Sequence, residues 1–138
     1  MFQRISIFLI TAVIISGCSV NRIELNTRIQ IKNENRTNIL LPTGSLTSST
    51  FVIDKGIKYT VGFTSMKKTI FISTADSNFA IKGLRVNDII PSEYFDNFNY
   101  IPGWGYYVYL SNGWYAGFDF QKKPDKDSKI NWFFKFKF

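Results

Sequence analysis

Few residue types in this chain could carry chemistry. Cys18 is the one thiol, and there is no histidine. That removes the commonest general base, the commonest metal ligand and every nucleophile pair that relies on imidazole. No GxSxG elbow, SxxK pair, phosphate-cradling glycine loop or metal-ligand cluster occurs. Two carboxylates could still do acid–base work. Asp76, Asp88, Glu93, Asp96 and Asp119 could in principle flank a glycosidic bond, one as acid and one as base or nucleophile. Each also lies among turn-forming residues, where a carboxylate ordinarily caps backbone amides. The expectation is therefore no catalytic group, no metal and no cofactor, with a hydrolase using paired carboxylates as a distant third reading.

Binding chemistry is better supplied. Aromatic residues make up 17% of the chain, with 14 Phe, 7 Tyr and 3 Trp. Trp104, Tyr106, Tyr107, Trp114 and Tyr115 alternate with Gly103, Gly105, Gly113 and Gly117. Rings offer large contact area at low entropic cost, and they equally fill the core of a sheet. A hairpin with rings on both faces buries both only if something covers each side. Lys122 and Lys123, followed by Lys126, Lys129, Lys135 and Lys137, make a basic region diluted by Asp125 and Asp127. Trp104, Tyr106, Tyr107, Trp114, Tyr115, Lys122 and Lys123 form the candidate binding surface.

The setting of Cys18 says where such a surface would work. Met1–Arg4 is short and basic, and Ile5–Ile15 is apolar. As a helix that run would rise about 16 Å, short of the roughly 30 Å hydrocarbon core, which fits a cleaved export signal rather than a span. The tetrapeptide Ile15-Ser16-Gly17-Cys18 resembles the lipobox of bacterial lipoproteins. The resemblance implies cleavage between Gly17 and Cys18, a diacylglycerol on the thiol and an acylated new amino terminus, with palmitate-type chains holding the protein on a membrane. Ser19, where an aspartate would typically retain the protein on the inner membrane, implies the outer membrane facing the periplasm. A Gram-positive source would instead place the anchor in the cytoplasmic membrane.

Removing residues 1–17 takes only Arg4 from the 17 Lys and Arg and none of the 10 acidic residues, so the net charge falls by one from +7. In an exported protein the polyanions at hand are lipid headgroups, polysaccharide and wall polymers, and nucleic acid is not the expected partner. The expected role is a non-enzymatic envelope lipoprotein, an accessory subunit that binds an envelope protein partner. The alternative is an inhibitor, immunity or exclusion lipoprotein acting against a toxin, lysozyme, phage or plasmid.

These residues must be positioned by a single domain, 22–138, preceded by the leader 1–17 and a lipidated tether 18–21. Alternation predicts a strand over 22–32, where Ile23, Leu25, Thr27, Ile29 and Ile31 share one face. Residues 33–50 read as loop. A hairpin follows around Asp54-Lys55-Gly56, then a strand at Thr69–Thr74, turns from Asp76 to Asp88, and one short helix from Pro91 to Phe98. Ile89, Ile90, Tyr94, Phe95 and Phe98 are expected to cover the sheet. Ser111-Asn112-Gly113 joins two aromatic strands, the loop 121–129 follows, and Ile130–Phe138 closes. The fold class expected is α+β, a mainly antiparallel sheet of about six or seven strands, open to curling, with one short helix.

Overall fold

A computed structural model describes residues 23–29, 36–119 and 121–137. The leader, the tether and both Gly17 and Cys18 lie outside the described residues, as do 22, 30–35, 120 and 138. The strands are β1 (Thr37–Leu40), β2 (Leu46–Asp54), β3 (Ile57–Phe63), β4 (Thr69–Thr74), β5 (Asn99–Ile101), β6 (Gly105–Ser111), β7 (Trp114–Gly117) and β8 (Trp132–Phe136). They form one eight-stranded sheet in the order β1-β2-β3-β4-β8-β7-β6-β5. Every neighbouring pair is antiparallel.

The chain is thus mainly β rather than α+β, with eight strands where six or seven were expected. The expected helix is a 3-10 helix, Ser92–Asn97, bounded by Pro91 and Phe98 in extended conformation and without a side-chain cap. Six residues between two extended flanks cannot repay the nucleation cost of an α-helix, so the tighter turn prevails. Tyr94 is buried as expected, whereas Ile89 is 53% exposed and covers nothing.

Two strands are additional. β1 and β5 are the edges of the sheet, where a strand needs no apolar alternation because one side and one rim face water. The segment expected as a strand over 22–32 contributes, in its described part, only a bridge from Arg28 to Lys68. Burial there still alternates residue by residue from Ile23 to Ile29, so the period was real although the ladder is short.

Register sorts the side chains onto two faces. Phe71, Trp132, Phe134, Phe136, Tyr107 and Tyr115 share one face, because Phe71 pairs with Phe136, Tyr115 with Phe134 and Tyr107 with Gly117. Val108, Ala116 and Phe133 lie on the other and are fully buried. That second face is covered by the crossover between β4 and β5, which brings Phe79, Ile90 and Tyr94 onto Val108, Leu110, Ala116 and Phe133. The Trp104 indole N–H, in the turn between β5 and β6, donates to the Leu40 carbonyl of the opposite edge strand at 3.1 Å. The two edges therefore approach through a side chain, without a strand-to-strand ladder between them.

Candidate functional site

The inner face carries the most developed constellation. Alternation along β8 puts Trp132, Phe134 and Phe136 on this face, and Gly117 lies directly across from Trp132. A Cβ on Gly117 would fall 2.1 Å from Trp132 Nε1 and 2.6 Å from Cε2, so the absence of a side chain is what lets the indole lie on the neighbouring strand. Trp104 is placed by the Pro102-Gly103 turn, where Gly103 has φ +81° and the Trp104 amide donates to the Ile101 carbonyl at 2.9 Å. Its own indole is held by Leu40 at the opposite edge.

The two indoles meet with centroids 4.9 Å apart at 42°. Trp104 also packs edge-on against Phe71 and Phe134, at 5.5 and 5.1 Å. Both tryptophans remain half-buried, and between them opens a cleft of about 470 Å³ lined by Gly103, Phe118, Asp119 and Asn131 as well. Asp119 and Asn131 are exposed. Asp119 Oδ1 accepts from the Gln121 amide at 3.1 Å, and the Asn131 amide donates to the Gly117 carbonyl at 3.0 Å, which fixes the backbone at both rims.

Away from the cleft the inner face continues as a ring ladder. Tyr115 stacks on Phe134 at 5.3 Å and 16°, Tyr107 meets Tyr115 edge-on at 5.6 Å, and Tyr109 is half exposed beside them. Burial pushes the Tyr107 and Tyr115 phenols upward from their ordinary value, so both stay protonated near neutrality.

The candidate surface is therefore split by the sheet. Trp104, Tyr107 and Tyr115 share the inner face, while Tyr106 and Trp114 belong to the outer one. Trp114 packs on Phe79 at 4.7 Å and Tyr106 against Tyr100 at 4.9 Å. Trp132 and Asn131 were not among the candidates. The signal for Trp132 was a glycine facing a large ring, and that requires a register between β7 and β8 that the sequence does not print.

The lysines separate too. The loop 121–129 leaves from the β7 end where Gly117 faces Trp132, whereas Lys137 follows the other end of β8, its amide donating to Ile70. Lys123 is exposed, but Lys122 is ion-paired with Asp125. The Lys122 hydrogen bond, together with the Asp127 amide and the Ser128 hydroxyl, holds the Asp125 carboxyl at about 2. Because its folded value is depressed, the contribution of this loop clamp is complete above the ordinary carboxylate range and fades as pH falls through about 2. A carboxyl titration of Asp125 by NMR is expected to show that low midpoint, and Lys122→Ala to move it up toward about 3.9.

Most of the candidate carboxylates serve turns. Asp76 accepts from the amides of Asn78 and Lys58, at 2.9 and 3.1 Å, which lowers its pKa, and Asp88 accepts from the Arg85 amide at 2.7 Å. Glu93 and Asp96 instead share a second open cleft with Lys82, Tyr94 and Tyr109. Among the described residues no three metal-ligating side chains converge. No family model, curated protein or solved structure matches the chain.

Proposed function

We propose that this is a bacterial lipoprotein that acts by binding rather than catalysis, with a sugar ring of envelope glycan seated in the cleft between Trp104 and Trp132. The leader, Gly17-Cys18 and Ser19 support an acylated Cys18 on the outer membrane facing the periplasm, or on the cytoplasmic membrane of a Gram-positive cell. The single observation that carries the ligand class is the pair of fixed indoles opening on a cleft rimmed by Asp119 and Asn131.

A pyranose has an apolar C–H face and a rim of hydroxyls. An indole accepts the first, while a carboxylate and a carboxamide exchange hydrogen bonds with the second. At about 470 Å³ the cleft falls within the range of small-ligand sites. The rings are positioned before any ligand arrives, which limits the entropic cost of binding.

The test is binding of the purified lipoprotein to isolated envelope glycan, read by co-sedimentation and tryptophan fluorescence. Trp132→Ala is expected to weaken binding about 30-fold or more, the loss of one aromatic hot spot. Asn131→Ala, an exposed site, tests the rim without disturbing the core. Unchanged binding by both variants, or release of glycan fragments by the wild-type protein, overturns the reading.

A further inference from the structure

The first described residues are fastened to one end of the sheet. The Asn26 amide donates to the Thr69 carbonyl and the Thr69 amide to the Thr27 carbonyl, both at 2.8 Å, and the Ile29 amide reaches the Lys67 carbonyl at 3.3 Å. Lys137 Nζ closes the group from β8 by donating to Asn26 Oδ1 at 3.3 Å. This junction gathers cations: Arg28, Lys67 and Lys137 are exposed and Lys68 is half-buried. Met66, at the tip of the same turn, is 71% exposed. Glu24 is the acidic residue nearest in sequence, and no carboxylate among the described residues is ion-paired with these four cations.

We infer that this end, with Met66 at its tip and Arg28, Lys67, Lys68 and Lys137 around it, is the pole that docks on the anionic headgroups of the bilayer. The inference rests on the acylation of Cys18 in the proposed function. The five steps of backbone from Cys18 to Ile23 span at most about 18 Å. A domain of this length has a radius of gyration of about 14 Å and is about 35 Å across, so the anchor cannot bring the opposite end to the same surface. The opposite end of β3 carries Asp54 beside Lys55, and at the opposite end of β8 the loop 121–129 sets Asp125 and Asp127 among Lys122, Lys123, Lys126 and Lys129, with Lys122 paired to Asp125. A cation cluster with no ion pair and no acidic side chain interleaved among the described residues of the turn 64–68, the exposed thioether and the short tether thus coincide at one pole. The consequence is an orientation that carries the loop 121–129 away from the bilayer.

Acylation occupies the single native thiol, so a cysteine introduced elsewhere labels alone. The lipidated protein carrying Met66→Cys with an environment-sensitive fluorophore is incorporated into phosphatidylglycerol-containing vesicles and into purely phosphatidylcholine vesicles. The expected result is a blue-shifted emission on the anionic vesicles only, no shift from the same label at Lys55→Cys, and about a 30-fold lower docked population when Lys67→Gln and Lys68→Gln are added. Flotation with the vesicles without a shift at position 66 overturns the docking inference while leaving the anchor intact. Equal shifts on neutral and anionic vesicles, or at both labels, overturn it as well. Failure of the wild-type protein to float with vesicles overturns the anchoring reading, and this one with it.

Discussion

Phe134→Ala is expected to lower the unfolding free energy by about 3–5 kcal/mol, the usual cost of emptying a buried phenylalanine site. Phe134 has no exposed surface, and its ring touches Trp104, Tyr107, Tyr115, Trp132 and Phe136. Those rings come from β6, β7, β8 and the β5–β6 turn, so the hole cannot be filled by one rotamer change. A cavity that fails to collapse sets the upper part of the range. Set against total stabilities of about 5–15 kcal/mol, this is a fifth or more of what a domain has. Urea unfolding followed by tryptophan fluorescence would read it, together with a fall in melting temperature on the order of 10 °C. A loss below about 1 kcal/mol would mean that the inner face is loosely packed.

The second large effect belongs to Gly117. A valine there would drive a Cβ to 2.1 Å from Trp132 Nε1, a separation no ring tolerates, so the indole must leave the face of β7. Overpacking of this kind costs about 1–3 kcal/mol and more where backbone must move. The diagnostic is coupling rather than the size of the loss. If the clash is with the indole, Gly117→Ala is destabilising in the wild type and close to neutral in a Trp132→Ala background, because the obstructing atoms are gone. Additive losses would show that the glycine serves its own strand instead. Near-ultraviolet circular dichroism, sensitive to the Trp104–Trp132 pair, is expected to diminish in the single Gly117 variant in step with glycan binding.

The hairpin at Asp54-Lys55-Gly56 and the Asn112-Gly113 turn were legible because each glycine, at φ +79°, takes a conformation that side chains resist. β8 was legible from the period-two placing of Ile130, Trp132, Phe134 and Phe136. β1 was not, because its residues Thr37, Asn38 and Leu40 are exposed and polarity there mimics a loop. The first half of β2 was hidden in the same way, Leu46–Ser49 being mostly hydroxyl-bearing; Ser49 is buried nonetheless, its hydroxyl within 2.9 Å of that of Thr37. The helix was placed correctly in sequence and wrongly in kind, since periodicity over one or two turns cannot separate a 3-10 helix from an α-helix. At the site, composition identified Trp104 but not its partner Trp132, which becomes a neighbour only through the β7–β8 register.

The strand order has a kinetic corollary. β1 to β4 are connected as successive neighbours, and so are β5 to β8; the two quartets share one seam, where Phe71 is opposite Phe136 and Thr74 is opposite Phe133. Each quartet can zip locally, whereas the seam joins positions far apart in the chain and must wait for the loop between them to close. The carboxyl-terminal quartet carries most of its own apolar cluster, from Phe79 to Phe133. Emerging amino end first, the polypeptide would hold its leading quartet without its partner at the seam until the last strand emerged, and assembly would finish only when β8 slid in beside β4.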